Sequence, residues 1–263
     1  MSRNSTKPVY ADAGIYYEAL RPRTPEAWNR AVRRVVRPIL ARAESVCELG
    51  CGPGLRACEF ARAGFRVFAV DISEMMLRTA RKRARKANLS ITFIRADMRS
   101  FRLPRQVDLI NSEWGAINHL PRKSDLVRVA RAAGRALRSG GYFLFDVNHR
   151  SVFERIWSEV EIRETPKLFK VQRGGYNPDR AMGWLELTWF VAQRNGLWKR
   201  FQANIEEIHW SCAEIRRILL QAGFEQVQAF DYADLMTNSK TPQGVRESVR
   251  GFKTSFLARW KRT

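Results

Sequence analysis

The apolar and polar positions of this chain fall into two rhythms. Between residues 45 and 150, short and nearly continuous apolar runs alternate with segments whose apolar residues recur at three and four positions. Ser45 to Leu49 is such a run, broken by one carboxylate, Glu48. Phe65 to Val70, Ile91 to Arg95, Val107 to Ser112 and Tyr142 to Val147 are others. Runs of this length and character predict strands buried on both faces. Ala57, Phe60, Ala61 and Ala63 predict a helix after the first run. A second helix is predicted from a Ser73 cap through about Ala87, with Met76 and Leu77 inward, and a third over Lys123–Leu137, with Leu126, Val127, Ala130 and Ala133 inward. Ser139-Gly140-Gly141 is expected to end that third helix as a glycine C-cap. Strand and helix in alternation give an α/β fold with a mostly parallel sheet.

From Ser151 to Trp210 the rhythm changes to period two. Leu185, Leu187, Trp189 and Val191 alternate with Glu186, Thr188 and Phe190, and Phe201, Asn204, Ile205, Glu207 and His209 form another extended run. RGGYNPDR (173–180) and QRNG (193–196) read as turns. The prediction is an antiparallel sheet inserted after the fifth strand. Ser211 then caps a helix through Ile215, Ile218, Leu219 and Ala222, and Phe252 to Trp260 closes as a last strand. Upstream, Thr24-Pro25 starts a helix with a Trp28, Val32, Val35, Val36, Ile39 and Leu40 stripe, which Pro38 should kink or shorten. The expected division is an N-terminal helical cap (1–44), a ligand-binding core (45–150), an inserted β subdomain (151–210) and the closing helix and strands of the core (211–263).

The densest chemistry lies in VCELGCGPGLRACEFARAGFRVFAVD, Val46 to Asp71. Glycines after a strand let the chain turn sharply and let a ligand approach the main chain. The following helix aims free N–H groups at that ligand. An acid at the tip of the second strand can accept hydrogen bonds from both ribose hydroxyls. This is a nucleoside-binding βαβ unit. The dinucleotide fingerprint G-x-G-x-x-G fails here, because Leu55 stands at its third small position. Glu48, two residues before the first glycine, repels a pyrophosphate and suits a ligand carrying an amino group.

ELGCGPG with AVDIS resembles the first two motifs of the class I S-adenosylmethionine (SAM) methyltransferases. The resemblance implies a Rossmann-like seven-stranded sheet and SAM as cofactor. It assigns Glu48, Gly50, Cys51, Gly52 and Gly54 to the methionine part, Asp71 to the ribose and Ile72 to the adenine side, with Met76 a further cofactor-binding candidate. Asp97 after the third strand would bond the adenine amino group, with Met98 as an apolar flank, and Ser112 closes the fourth strand beside the cofactor. The following stretch, DLINSEWGAINHL, resembles the corresponding segment of small-molecule N-methyltransferases, including amino-sugar dimethyltransferases. There His119 is a candidate general base, a neutral imidazole being able to take a proton near neutral pH. Glu113 and Tyr17 join it as catalytic candidates, and Trp114, Asn148 and His149 as walls of the acceptor pocket. Asp146 and Asn148 at a strand end are of the type that holds Mg²⁺ in one catechol O-methyltransferase branch; the acid needed after strand four is only loosely supplied by Glu113, and no metal is expected.

Composition narrows the partners. The chain of 263 residues carries a formal charge of +21, which permits nucleic acid, with the densest run in RTARKRARK, Arg78 to Lys86. A solvated outer face accounts for that run as well, so a small-molecule acceptor is favoured over an RNA methyltransferase or a non-catalytic SAM-binding protein. Cys47, Cys51, Cys58 and Cys212 form no CxxC pair and read as buried thiols. No apolar run approaches a membrane span, and no apolar leader precedes the fold. A cytoplasmic enzyme, monomer or homodimer, transferring a methyl group to nitrogen or oxygen, is the expectation.

Overall fold

The computed structural model describes residues 34–235 and 250–261. Two sheets dominate it. The first has seven strands: β1 (Ser45–Leu49), β2 (Arg66–Asp71), β3 (Thr92–Arg95), β4 (Val107–Ser112), β5 (Leu137–Asn148), β10 (Phe224–Asp231) and β11 (Lys253–Trp260). Their order is β10-β11-β5-β4-β1-β2-β3. Strands β1 to β5 pair in parallel, and β11 runs antiparallel to both β5 and β10. Parallel strands need crossovers, and these are helices: α2 (Leu55–Arg62), α3 (Glu74–Lys86) and α4 (Lys123–Ala136). A helix over 34–40, α1, precedes β1 and passes through Pro38; the expected start at Thr24 and the Trp28 and Val32 stripe lie outside the described residues. After β5 the chain enters the second sheet, β6 (Glu161–Thr165), β7 (Leu168–Asn177), β8 (Met182–Ala192) and β9 (Trp198–Ile208), in sequential antiparallel order. It returns through α5 (Cys212–Ala222), capped by Ser211 and closed by left-handed Gly223.

The core confirms why the apolar runs are continuous. Every residue of β1 and β4 is buried, with Val46 and Leu109 clustered with Val36 of α1 on one side and Cys47, Leu49 and Ile110 clustered with residues of α4 and α5 on the other. Phe145 stacks on Phe256 at 5.3 Å and 14° and meets Phe143 at 4.6 Å. Such pairs contribute about 0.5–1.5 kcal/mol beyond their buried area. The inserted sheet keeps its own cluster, Leu168, Leu185, Leu187 and Trp189, with Phe201 stacked on Trp189.

Two glycine expectations are corrected. Ser139-Gly140-Gly141 does not cap α4. That helix ends at Ala136 with extended Leu137, and the glycines lie in β5, where two residue steps on β4 (Val107 to Leu109) are matched by five on β5 (Leu137 to Tyr142). Gly140, at φ 74°, takes up the irregularity. Gly174-Gly175 is likewise strand, paired to Leu185 and Trp184; the turn comes later, at 178–181. A side chain at Gly174 would meet Leu185 at 2.8 Å and the carbonyl of Trp157 at 2.9 Å. The glycines there serve close packing.

Candidate active site

The C-terminal ends of β1, β2, β4 and β5 converge on one edge of the sheet, and the site assembles there. Gly50, Gly52 and Gly54 all adopt left-handed φ, 72°, 51° and 79°. Gly50 and Cys51 both donate backbone N–H to the Val70 carbonyl, 2.8 and 2.9 Å, which folds the turn onto β2. A Cβ on Gly54 would lie 2.7 Å from that of Ala80 on α3, whereas one on Gly52 would project into open space. Gly54 therefore serves packing and Gly52 faces the ligand side. The Asp71 carboxylate ties the turn down: one oxygen accepts from Gly52 N–H at 2.7 Å, the other from Ser73 N–H at 2.8 Å. Burial pushes its pKa up, against the backbone N–H groups and the nearby His119.

Glu48 is buried and accepts a 2.8 Å hydrogen bond from Asn111 Nδ2. The same amide reaches Glu113 at 3.2 Å, and Arg56 Nε donates to Glu113 at 2.5 Å. Burial, and then Glu113, raise the pKa of Glu48 well above the usual carboxylate range. Glu113 Oε1 and Ser112 Oγ are buried without a hydrogen-bond partner. Beside Asp71, Ile72 is 54% exposed, an apolar side chain held out at the strand tip, while Met76 is buried in the first turn of α3. Met98 reaches within 3.6 Å of the position a Gly50 Cβ would take.

Asp97 is engaged elsewhere. Both of its oxygens accept from Arg99 Nε at 2.9 Å, Oδ2 also from Nη2 and Oδ1 also from the Arg99 backbone N–H. Arg99 holds its pKa below the ordinary value. The side chain thereby caps a local loop and pairs with Arg99.

The loop after β4 is set by Asp146, a buried residue of β5. Its two oxygens accept from the backbone N–H groups of Trp114 (3.1 Å) and Gly115 (2.6 Å), and Lys253 donates to it at 3.1 Å. Trp114 thereby holds φ 71°, uncommon for a residue with a side chain, and its ring lies 5.6 Å from the Lys253 ammonium. Asp146 is thus committed to backbone and lysine. One turn on, buried Asn118 joins three segments: its Nδ2 donates to the Asn148 and Ile208 carbonyls (2.9 and 2.8 Å), and its Oδ1 accepts from Asn148 N–H at 2.9 Å. This brings His119 to Glu207 of β9, with Nε2 3.8 Å from Oε1 and Nδ1 3.4 Å from the Glu206 carbonyl. Asn148 Nδ2 donates to the other Glu207 oxygen at 2.8 Å. Burial raises the Glu207 pKa, against the pull of His119.

So Glu113, Trp114, His119 and Asn148 gather near the glycine turn. His149 does not join them. Side chains alternate along a strand, and its ring turns to Thr254 Oγ1 (2.7 Å), Cys212 and His209. Tyr17 lies outside the described residues. Asn111, Asn118, Arg56, Lys253 and Glu207 were not singled out from the sequence as site residues. Glu207 alone left a trace: it continues the alternating row Phe201, Ala203, Ile205 with an acid.

A nucleoside cofactor fits these groups: an open approach at Gly52, an accepting acid at the ribose position, a second acid at the turn and an exposed apolar side chain at Ile72. Residues 46–141 match the methyltransferase domain family. A putative methyltransferase of Geobacillus sp. (strain WCH70) is 24% identical over 236 residues, covering 86% of this chain and 93% of that one. Among solved structures, a SAM-dependent methyltransferase from Clostridium acetobutylicum superposes with a TM-score of 0.77 at 19% identity, over 95% of this chain and 97% of that one. The sugar N-methyltransferase KedS8 from Streptoalloteichus sp. does so with a TM-score of 0.74 at 22% identity, over 99% of both. The domain is a methyltransferase domain. Over its length the chain is similar to these methyltransferases and shares their fold, with the methyltransferase domain at residues 46–141.

Proposed function

We propose that this enzyme methylates an amine nitrogen of a small acceptor that is neutral or cationic. The observation carrying this reading is the sign of the site. Glu48, Asp71 and Glu207 are hydrogen-bonded by neutral groups, and burial raises the pKa of each. Buried carboxylates without a cationic hydrogen-bond donor are relieved by a positively charged ligand, which at this site favours an amine over a polyanion such as RNA even in a chain of net charge +21. The exposed basic side chains Arg78, Lys82, Arg85 and Lys86 belong to the outer face of α3.

Glu48 and the Gly50–Gly54 turn would hold the methionine part of SAM, Asp71 the ribose, and Ile72 with Met98 the adenine. Ser112 and Glu113, with their unpartnered oxygens, border the methionine end. Trp114 is the flat wall against which the acceptor lies. SAM supplies a methyl group already activated on a sulfonium; the chain contributes alignment and water exclusion, effects worth about 7–11 kcal/mol when the geometry is good. His119 takes the amine proton, a role worth about 10²–10⁴-fold.

The test is calorimetric binding of SAM and S-adenosylhomocysteine beside NAD, followed by transfer of labelled methyl to amino sugars, other amines, hydroxylated metabolites and RNA. Binding of both sulfur nucleosides, with label on amines, is expected. Label on RNA alone would overturn the reading of the acceptor. Asp71→Ala is expected to weaken S-adenosylhomocysteine roughly 10- to 100-fold, the loss of hydrogen bonds to a charged acceptor; unchanged affinity would remove Asp71 from the ribose.

A further inference from the structure

We infer that Glu207, delivered by the inserted sheet, is the positioning residue for His119, and that the two together form the corner where an acceptor ammonium docks and gives up its proton. This rests on the amine-methylating reading above and adds to it the protonation state in which the acceptor arrives.

Four observations converge. Glu207 projects from β9 toward the core, and its carboxylate is fixed from one side by Asn148. Its second oxygen faces His119 Nε2 across 3.8 Å, a gap longer than a direct hydrogen bond and within ion-pair reach. The positions are not left to loop wandering: Asn118, adjacent to His119, binds the carbonyls of Asn148 and of Ile208, the neighbour of Glu207. Finally, the His119 ring is bracketed by acceptors, the Glu206 carbonyl at one nitrogen and the Glu207 carboxylate at the other. A neutral imidazole has one N–H and can serve one of these. The Glu207 carboxylate is therefore placed to ion-pair with a proton-bearing ring across the 3.8 Å gap. The charged groups around the ring are Glu207 on β9 and Asp71 at the tip of β2, with the Asp146–Lys253 pair of β5 and β11 behind Asn148.

The step balances. The acceptor R–NH₃⁺ transfers one proton to the Glu207–His119 pair and becomes R–NH₂. Its lone pair attacks the methyl carbon as the carbon–sulfur bond breaks toward sulfur, and the product leaves as R–NH₂⁺–CH₃. The pair returns its proton to water.

The chain has three histidines, so their imidazole resonances can be followed by NMR in the full-length protein saturated with S-adenosylhomocysteine, His119 being assigned by its loss in His119→Gln. In Glu207→Gln the pH midpoint of the His119 resonance is expected to move to lower pH, with His149 and His209 unmoved; Glu207→Asp should restore part of the difference. Identical His119 titration in wild type and Glu207→Gln, with the nucleoside bound in both, overturns the pairing. Movement of all three histidines together also overturns it, since a general loosening would do that. If wild type fails to bind S-adenosylhomocysteine, it is the methyltransferase reading of the site that fails. Should Glu207→Gln alone fail to bind it, Glu207→Asp carries the comparison.

Discussion

The glycines of the first turn look interchangeable in sequence and are not so in space. Gly54 is pressed against Ala80, while Gly52 borders open space. Both need left-handed φ, which costs a residue with a side chain about 1 kcal/mol. Gly54→Ala adds a clash between α2 and α3, so it should lower the thermal midpoint by several degrees, an overpacking loss of roughly 1–3 kcal/mol. Gly52→Ala should leave the fold nearly intact and weaken S-adenosylhomocysteine, because its methyl group enters the ligand's space; thermal melts with and without the nucleoside separate the two. Asp97 offers the opposite contrast. With both oxygens held by Arg99, Asp97→Asn should cost stability and change nucleoside affinity by less than about threefold, a fraction of a kcal/mol. A tenfold loss of affinity with unchanged stability would return Asp97 to the adenine.

At the level of elements, periodicity was a sufficient guide where burial is two-sided or strictly alternating. Val107–Ser112 is strand β4 over the expected residues, and Ser73 and Ser211 cap their helices, because a buried strand and a capped amphipathic helix each leave a local mark. Glycine pairs misled because their reason is tertiary: Gly174 is small to admit Leu185 and a carbonyl, which no local pattern reports. The site shows the same divide. The turn, Asp71 and His119 stand in contiguous motifs. Asn118 and Lys253 act through partners 30 to 107 residues away, and nothing local marks them. Gly183 belongs to this class as well. Phe153 lies over it, locking the start of the insertion onto β8. Gly183→Ala should raise hydrogen exchange across β7 and β8 while β1 and β4 stay protected.

For the molecule as a whole, pH acts on two sets of groups with opposite sign. Burial holds the pKa of His149 and of His209 below the ordinary imidazole value. The unfolded chain then binds protons that the fold refuses, so their contribution is complete above about pH 6.5 and is lost as pH falls toward the folded values. The raised carboxylates Glu48, Asp71 and Glu207 run the other way: relative to exposed acids they favour the fold below about pH 4 and lose that advantage as pH rises through their folded values. Thermal melts between pH 7 and 5.5 should therefore show His149→Gln losing less stability on acidification than the wild type does, whatever the sign of the net slope. An equal slope in the variant would remove His149 from the account. The Asn118 amide has a bearing on engineering. It binds backbone on both sides of the inserted sheet, at residues 148 and 208. A sheet borrowed from a relative to change acceptor choice will seat here only if its last strand ends in the same register, with a carbonyl where Ile208 now stands. A shift of one residue would turn the Glu207 position to the opposite face and strand the amide. Exchange of specificity in this scaffold is thus governed by the length of the graft before it is governed by the side chains the graft carries.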